Sequence, residues 1–247
     1  MPVLGVIPAR LGSTRLPHKP LQLLAGEPLV NRVAERVRDH AVVDRLVVAT
    51  DSAEIARVVE RTGVEAVMTH DRHLTGTERV AEVASKPEFA GFDTILNIQG
   101  DEPFVTLEAL SGSLARVRQG DDVGTAAAPL DPDLVEDPAR VKVVTDARGR
   151  ALYFSRAVIP FRRDAGESAA GLYWQHLGVY AYTRPALARW VALPPSSAEL
   201  AEKLEQLRAL QDGMSIGVAR LTEPALPGID TPDDLRRAEA QWHAPAR

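Results

Sequence analysis

The sequence predicts an α/β fold, in which a mostly parallel, partly mixed sheet carries a smaller inserted β-rich subdomain. Over residues 1–129, short apolar runs alternate with amphipathic segments of helical period. This alternation is typical of βαβ units with helices on both faces of a sheet. The rhythm then stops, and two apolar runs are separated only by Asp146–Arg150, as in a β-hairpin. We therefore expect an α/β core formed by residues 1–129 and 191–247, with residues 130–190 as the inserted subdomain.

Each predicted strand is a short apolar run, and each predicted helix repeats its apolar residues three or four positions apart. The core begins with strand Val3–Ile7, helix Pro28–Asp39, strand Arg45–Thr50, a helix from the capping sequence Asp51–Glu54 to Gly63, strand Val64–Met68, helix Thr77–Lys86, strand Thr94–Ile98, a helix carrying Leu107 to Val117, and strand Val123–Ala128. The later elements are the hairpin of Val141–Thr145 and Ala151–Phe154, a loop over 162–171, strand Gln175–Tyr182, one continuous helix Ala198–Gln211, a strand near Ser215–Leu221 and a helix from about Pro232.

The composition excludes several classes of protein. The 247 residues include 29 Lys and Arg, 34 Asp and Glu and no cysteine, so the formal net charge is −5. The absence of cysteine excludes disulfides, Cys-ligated zinc and iron–sulfur clusters, and the acidic balance argues against a nucleic-acid partner. The chain contains no signal-peptide pattern and no apolar run near the length of a membrane span. We therefore expect a cytoplasmic protein without membrane insertion.

The connection after the first strand, residues 8–20, combines three cations with hydroxyl groups and Gly12. Its cations are Arg10, Arg15 and Lys19, and because residues 1–26 contain no acid they carry +3 while the remainder carries −8. In a parallel sheet, the loops after the strands form the ligand crevice. Arg forks and a Lys point charge suit a polyphosphate. A solvated basic loop is the alternative, and the lack of acids favours phosphate.

Two acidic motifs are candidates for a metal site. Asp101 lies in Q-G-D-E-P, directly after an apolar strand, and Asp230 lies in G-I-D-T-P-D-D-L. Mg²⁺ typically takes only one or two protein carboxylates and completes its shell with water and phosphate oxygens. The first motif can instead be a turn before a helix. In the second, either Asp230 or Thr231 can be the N-cap of a helix, and the spacing leaves this open.

The most specific information lies in the order of the motifs from about Val3 to Arg237. In chain order they are P-A-R-x-x-S-T-R-L-P-x-K-P, A-T-D, T-G-T-E-R, N-I-Q-G-D-E-P, K-V-V, A-L-Y-F-S-R-x-x-I-P, H-L-G-V-Y-A-Y, L-E-Q-L-R and I-D-T-P-D-D-L. Together they resemble the 3-deoxy-manno-octulosonate cytidylyltransferase family. The first motif and Q-G-D-E-P are shared with the wider nucleotidyltransferase superfamily, whereas F-S-R-x-x-I-P, H-L-G-x-Y and L-E-Q-L-R are much more specific to this family.

The resemblance implies a fold, a reaction and an assembly. The fold is the Rossmann-like nucleotide-diphospho-sugar transferase fold. The reaction couples CTP and 3-deoxy-D-manno-octulosonate (Kdo) to give CMP-Kdo and diphosphate with Mg²⁺, for lipopolysaccharide biosynthesis. The assembly is a homodimer, for which the inserted subdomain offers strands suited to isologous pairing.

The resemblance also implies roles for individual residues. Asp101 and Asp230 would ligate Mg²⁺ and, with Arg15 and Lys19, form the catalytic set. The nucleotide-binding residues would be Pro8, Ala9, Arg10, Ser13, Arg15, Lys19, Thr75, Gly76 and Arg79. The sugar acid would meet Gln99, Arg156, His176, Tyr180, Glu205 and Gln206, with Arg156 as the counter-ion of its carboxylate. No general base is evident.

Some positions depart from the family or allow another interpretation. His18 stands where the family usually has glycine, so we expect a different local turn if that glycine uses positive φ. His70 and His73 are candidates for metal ligands, but solvated loop histidines are the favoured interpretation. Asp131-Pro132-Asp133 resembles the D-x-D of glycosyltransferases, but a helix cap is favoured.

Four other functions stay open at this point. They are a cytidylyltransferase for another sugar acid (amino-Kdo or N-acylneuraminate), one acting on methylerythritol phosphate, a glycosyltransferase using D-P-D, and a non-catalytic nucleotide-binding protein.

Overall fold

The structure is a computed structural model that describes residues 1–13, 15–164 and 169–242. It separates into two compact units, one made of Met1–Leu107 with the C-terminal segment from Leu226, and one made of Glu108–Ala225. This division differs from the predicted insertion of residues 130–190, whose limits stay a prediction.

The helices and strands follow the predicted alternation. The strands are β1 (Val3–Ala9), β2 (Leu23–Leu24), β3 (Glu27–Pro28), β4 (Arg45–Thr50), β5 (Glu65–Met68), β6 (Thr94–Ile98), β7 (Val123–Pro129), β8 (Lys142–Thr145), β9 (Ala151–Ser155), β10 (Trp174–Thr183) and β11 (Ile216–Arg220). The helices are α1 (Leu29–Asp39), α2 (Ala53–Glu60), α3 (Gly76–Ser85), α4 (Leu107–Arg118), α5 (Arg184–Ala192), α6 (Ser197–Glu202), α7 (Gln206–Gln211) and α8 (Pro232–Trp242), with short 3₁₀ helices at Lys19–Leu21, Pro87–Phe89 and Pro132–Leu134. No helix in the described ranges is both long and apolar enough to cross a membrane.

The first unit contains a parallel sheet in the order β6–β1–β4–β5. In β1, the residues from Val3 to Ile7 are all buried, as expected for a parallel strand with both faces covered. Because the four strands run the same way, the loops that follow them leave from one edge of the sheet. The charged loop after β1 and the Q-G-D-E-P turn after β6 therefore start side by side.

The second unit contains the mixed part of the fold. Strand β7 pairs parallel with β11 and antiparallel with β10, and β8 and β9 form the predicted antiparallel hairpin. The pairing of β10 with β7 is irregular between Leu177 and Tyr180, where β10 contains extra residues. A glycine within a strand often marks such a bulge, and Gly178 lies inside this one.

The start of α2 differs from the prediction. The N-cap is Ser52, whose hydroxyl accepts a hydrogen bond from the Ile55 amide, whereas the predicted capping sequence began at Asp51. Asp51 instead forms an ion pair with Arg79 at 2.8 Å. The carboxylate of Asp51, one residue before the N-cap of α2, therefore binds the Arg79 side chain of α3.

Between Thr183 and Gln211 the chain differs most from the prediction. Helix α5, which the sequence analysis missed, is capped by the Thr183 hydroxyl and buries Trp190. The single helix predicted over Ala198–Gln211 is wrong, because Lys203 takes a left-handed conformation with φ 55° and separates α6 from α7. The apolar spacing of Leu200, Leu204 and Leu207 continues across this break, which is why it favoured one helix. Of the loop predicted over 162–171, residues 165–168 lie outside the described residues.

Candidate active site

A cleft of about 290 Å³ lies at the C-terminal ends of β1 and β6 in the first unit. It is lined by all twelve predicted site residues of that unit, together with Gly12, Pro20 and Gly100. The twelve are Pro8, Ala9, Arg10, Ser13, Arg15, Lys19, Thr75, Gly76, Arg79, Gln99, Asp101 and Asp230. Their roles in binding and catalysis stay predictions, but their common location is a property of the fold.

The centre of the cleft is a network of two carboxylates and two cations. The Lys19 ammonium donates to Asp101 Oδ2 at 2.5 Å and to Asp230 Oδ1 at 2.9 Å. Arg15 pairs with the other oxygen of Asp230 at 3.1 Å. Burial by itself would lower the pKa of Lys19, but the two carboxylates outweigh it and raise that pKa above its usual value. Lys19 is therefore a permanent cation at neutral pH.

The cap of α8 explains why Asp230 is available to this network. Thr231 is the N-cap, since its hydroxyl accepts from the Asp234 amide while Asp234 Oδ2 accepts from the Thr231 amide and hydroxyl. The choice that the sequence left open is thus settled in favour of Thr231. The Ile229 amide also donates to the Asp101 carbonyl at 2.9 Å, which fixes Asp230 beside Asp101.

The loop after β1 is held by one apolar anchor and one special backbone conformation. Leu16 is buried in a cluster with Leu24, Leu29 and Ile229. His18 has φ 51°, in the left-handed region. A glycine with positive φ would form the same left-handed turn. Histidine can form it too, because it adopts this region more often than most side chains do.

Two glycines allow the walls of the cleft to approach each other. A Cβ added at Gly100 would lie 3.0 Å from the Pro8 carbonyl, and one added at Gly76 would lie 3.1 Å from the Pro8 ring. The end of β1, the turn after β6 and the start of α3 thus meet around Pro8. A capping box between Thr75 and Glu78 fixes the start of α3 at this point.

The cations around the cleft differ in how they are held. Arg79 is almost fully buried, pairs with Asp51 and donates to the Thr69 hydroxyl. Arg10 is exposed and pairs with no carboxylate among the described residues. Arg79 is therefore a fixed part of the wall, whereas Arg10 is available to an anion.

The donor set of the cleft fits a magnesium ion. Asp101 and Asp230 supply carboxylate oxygens, which hard divalent cations prefer, and Mg²⁺ needs only one or two of them. Both carboxylates already bind one ammonium, so they lie close enough to share a cation. No group of three or more His, Cys, Asp and Glu suited to a metal ion occurs within the described ranges, and His73 is bound to Glu82 at 2.5 Å.

In the second unit, the bulge in β10 brings two predicted sugar-acid residues together. The His176 and Tyr180 rings have centroids 5.3 Å apart, whereas four residues of an uninterrupted strand span roughly 13 Å. The Thr125 hydroxyl donates its single proton to the Val179 carbonyl at 2.7 Å, so its 3.1 Å contact with His176 Nε2 assigns the imidazole proton to that nitrogen.

Burial shifts the pKa of both rings. It lowers the pKa of His176 to about 3, so that the imidazole is neutral at physiological pH. Burial, followed by the charges of Tyr182 and Glu205, raises the pKa of Tyr180 well above its usual value. His176 and Tyr180 are therefore neutral hydrogen-bonding groups.

The remaining predicted residues of the second unit lie at the α6–α7 break and at the end of β9. Glu205 is the N-cap residue of α7, and Gln206 is its buried first residue. Arg156 follows β9, and its guanidinium donates to the main-chain carbonyls of Pro138, Glu202 and Lys203. Its predicted role as a counter-ion stays untested.

Two motif residues to which the sequence analysis gave no role in the site have clear structural ones. Asp51 of A-T-D holds Arg79 in the wall of the cleft. Lys142 of K-V-V is fully buried, donates to the carbonyls of Asp137 and Arg156, and has its pKa lowered by burial. The signals that could have identified them were a lysine within an otherwise apolar strand motif and an aspartate directly after a strand.

Comparison with known proteins decides the family. A family model described as cytidylyltransferase matches residues 4–216. The 3-deoxy-manno-octulosonate cytidylyltransferase of Gemmatimonas aurantiaca is 56% identical over 245 residues, which cover 98% of this chain and 95% of that protein. The chain belongs to this cytidylyltransferase family. A second family member, from Methylococcus capsulatus, is 46% identical over 243 residues, 94% of either chain.

A solved structure of the family confirms the predicted fold class. The structure of a CMP:2-keto-3-deoxy-manno-octonic acid synthetase complexed with CTP is 37% identical, covers 98% of both chains and has a TM-score of 0.90.

The D-x-D sequence Asp131-Pro132-Asp133 forms a helix cap, as the sequence analysis favoured. Asp131 accepts a hydrogen bond from the Asp133 amide at the start of a 3₁₀ helix.

Proposed function

We propose that this protein is the cytidylyltransferase that activates Kdo, converting CTP and Kdo to CMP-Kdo and diphosphate. Membership of the family supports this reaction directly. The observation in the fold that carries it is the cleft, where two carboxylates and four cations converge at the C-terminal edge of a parallel sheet. That arrangement suits a nucleoside triphosphate with its divalent ion.

The reaction is a single displacement at phosphorus. The anomeric hydroxyl oxygen of Kdo bonds to the α-phosphorus of CTP while the bond from that phosphorus to the bridging oxygen of the β-phosphate breaks. The hydroxyl proton passes to solvent water, and diphosphate leaves with the electron pair. Catalysis of such a transfer consists mostly of positioning and of charge neutralisation.

The chain's cations would carry out most of that neutralisation. Arg10 is free of carboxylate partners among the described residues and would bind the triphosphate first. Arg15 and Lys19 would exchange their contacts with Asp230 and Asp101 for phosphate oxygens of the leaving diphosphate. The Ser13 hydroxyl, Pro8, Ala9, Thr75, Gly76 and Arg79 would surround the rest of the nucleotide, as the resemblance implies.

Asp101 and Asp230 would hold the magnesium ion. Bound there, Mg²⁺ would polarise the α-phosphate and orient the attacking hydroxyl. The two aspartates would be left without a shared cation when Lys19 turns to the phosphates, so a metal ion would replace it as their partner. This exchange is an expectation from the charges of the cleft.

The candidates for contact with the sugar acid are the six residues that the resemblance implies. In the second unit they are Arg156, His176, Tyr180, Glu205 and Gln206, with Arg156 as the counter-ion of the carboxylate, and in the first unit the candidate is Gln99. Neutral His176 and Tyr180 would hydrogen-bond to sugar hydroxyls rather than to a charge.

The homodimer is proposed on the hairpin of the second unit. On β9, Leu152 is 61% exposed and Tyr153 is 38% exposed, which leaves apolar surface on that strand. Analytical ultracentrifugation should give a dimer at micromolar concentration, and a monomer would exclude it. The cytoplasmic location and the role in lipopolysaccharide synthesis stay predictions.

Diphosphate release from CTP and Mg²⁺, measured with and without Kdo, tests the function. Parallel reactions should contain amino-Kdo, N-acetylneuraminate and methylerythritol phosphate in place of Kdo, and ATP, GTP or UTP in place of CTP. We expect Kdo-dependent release that is strongest with CTP. Release with another acceptor alone would assign that substrate, and CTP binding without release in any mixture would indicate a nucleotide-binding protein.

A further inference from the structure

Thr125 is a fully buried threonine in β7, a strand otherwise composed of small or apolar residues. A buried hydroxyl group needs hydrogen-bond partners, because it has lost its bonds to water. The partners of Thr125 lie in the bulge of β10. Its Oγ1 is 2.7 Å from the Val179 carbonyl, 3.1 Å from His176 Nε2 and, more distantly, 3.4 Å from the Leu177 carbonyl. One hydroxyl group therefore joins residues on both sides of Gly178.

The number of protons determines the direction of these hydrogen bonds. A hydroxyl group has one proton and two acceptor lone pairs, whereas a carbonyl can only accept. The shortest contact therefore uses the Thr125 proton for the Val179 carbonyl. The contact with His176 then needs Nε2 as the donor, which leaves Nδ1 of the neutral imidazole as an acceptor. No described residue forms a hydrogen bond with this Nδ1.

The other contacts of the His176 ring are with aromatic rings. The Phe154 ring meets it at 78° with the centroids 5.0 Å apart, and the Tyr180 centroid lies 5.3 Å away. Tyr180 packs in turn against the fully buried Trp190. Packing of this kind holds the plane of the imidazole but does not distinguish its two nitrogens. Within the described residues, only the Thr125 hydroxyl makes that distinction.

We propose that Thr125 is a positioning residue, which fixes the proton of His176 on Nε2 so that Nδ1 accepts a hydrogen bond from a hydroxyl group of the sugar acid. This inference rests on the proposed function for the identity of the substrate. The family resemblance implies a role for His176 but none for Thr125. A bare imidazole nitrogen binds a donor and repels a carboxylate oxygen. His176 is thereby assigned to a hydroxyl group of Kdo and not to its carboxylate.

Nitrogen-15 NMR of histidine-labelled protein tests the position of the proton without any substrate. The chain has six histidines, and the signals that disappear in His176→Gln identify this ring. The natural chain should show a neutral His176 with its proton on Nε2. A proton on Nδ1, or a charged ring at neutral pH, would overturn the proposal.

Thr125→Val keeps the shape of the side chain and removes the acceptor. A proton on Nε2 would then be buried without a partner, which is costly, whereas a proton on Nδ1 still reaches water or a ligand. We therefore expect the form with the proton on Nδ1 to appear in this variant. Thr125→Ser keeps the hydroxyl group and should show the spectrum of the natural chain. An unchanged Nε2–H signal in Thr125→Val would contradict the role of Thr125.

Steady-state kinetics measures the consequence for the substrate. Thr125→Val should raise the KM for Kdo about threefold to tenfold, the value of one hydrogen bond. The KM for CTP should stay within about twofold, because the proposed nucleotide-binding residues lie in the first unit. The matched control is Thr183→Val, which removes a hydroxyl that caps α5 in the same unit and should leave both KM values unchanged.

Kdo analogues that each lack one hydroxyl group test whether Thr125 acts through the sugar. One of them should lose affinity for the natural chain and lose about threefold to tenfold less for Thr125→Val, where the hydrogen bond is already impaired. Equal losses in both chains for every analogue would refute the proposal.

Two controls keep the proposal separate from other failures. If the natural chain shows no Kdo-dependent release, the proposed function fails, while the NMR spectra still decide where Thr125 places the proton. Should Thr125→Val not fold, Thr125→Cys carries the same test, because a thiol is only a weak hydrogen-bonding group.

Discussion

The ion pairs of the cleft and those of α6 and α7 differ in how far their side chains are exposed to solvent. In the cleft, Arg15 and Asp230 have side chains that are 64% and 40% exposed and meet at one oxygen. Between α6 and α7, Arg208 and Glu199 are 9% and 10% exposed and pair through both carboxylate oxygens. The first pair is open to exchange, and the second is a permanent part of the fold.

The difference shows which ion pairs a binding site can use. An exposed pair contributes about 0–1 kcal/mol, so phosphate or a metal ion can replace either partner at little cost. Breaking a buried pair by removing one partner costs about 3–5 kcal/mol, because a charge is left without compensation. The cleft is therefore suited to exchange its charges, whereas the helices that carry Glu205 and Gln206 are suited to hold a shape.

The largest effect should follow removal of a cleft carboxylate. Asp101→Asn and Asp230→Asn should each lower kcat by about 10³-fold or more, since each removes a proposed magnesium ligand. Both side chains are partly exposed, so the melting temperature should change by only about 2 °C. Steady-state kinetics and calorimetry measure the two quantities. Full activity in either variant would refute the metal role, and loss of the folded state would make that residue structural.

Substitution of the buried Arg208 should instead lower the stability of the fold strongly and change kcat little. Arg208→Gln should lower the free energy of unfolding by about 3 kcal/mol, because buried Glu199 loses its partner. The kcat of the molecules that remain folded should change far less than in the aspartate variants. Urea unfolding measures the loss, with Arg236→Gln as a control that breaks an exposed Arg–Asp pair. Equal stability losses in the two variants would contradict the comparison.

Lys19→Met should combine a catalytic loss with a gain in metal affinity. We expect kcat/KM to fall about 10²-fold, as on loss of one charge-stabilising donor. Without nucleotide, Mn²⁺ should bind more tightly than to the natural chain, because the metal no longer competes with the ammonium for Asp101 and Asp230. Electron paramagnetic resonance of free Mn²⁺ measures this affinity. Weaker Mn²⁺ binding would show that the lysine does not compete with a metal for these two aspartates.

The smallest effect concerns pH and His176. Burial holds the pKa of His176 at about 3, against 6.5 for an ordinary histidine. Between these values the unfolded chain binds a proton that the folded chain does not, so stability falls as the pH falls below about 6.5. The contribution is at most about 1.4 kcal/mol per pH unit.

His176→Gln should remove the pH-dependent contribution of His176 to the free energy of unfolding. The glutamine keeps an amide that can donate to Thr125. The difference in free energy of unfolding between the natural chain and the variant should therefore shrink from pH 7 to pH 5. Chemical unfolding at several pH values measures it, and two parallel stability curves would show that His176 titrates normally in the folded protein.

Much of the fold could be predicted because its signals are local. Strands β4 and β6 lie where their apolar runs predicted them, and α3 is shifted by one residue. The break at Lys203 could not be predicted in this way, because the apolar period continues through it. The Lys203 carbonyl at this turn accepts a hydrogen bond from Arg156, which is 47 residues from Lys203 in sequence.

The loop after β1 and Asp101 could be placed in one cleft from the chain alone, because loops that follow parallel strands emerge at one edge of a sheet, whereas Thr75, Gly76, Arg79 and Asp230 were predicted from the resemblance to the family. The direction in which each charged side chain points was decided only by the tertiary structure. Lys19 meets Asp101 from 82 residues away and Asp230 from 211 residues away. Whether Asp230 or Thr231 caps α8 likewise depended on Asp234 and on the Asp101 carbonyl. Such pairings exist only once the chain is folded, because ion pairs form between neighbours in space, whatever their separation in sequence.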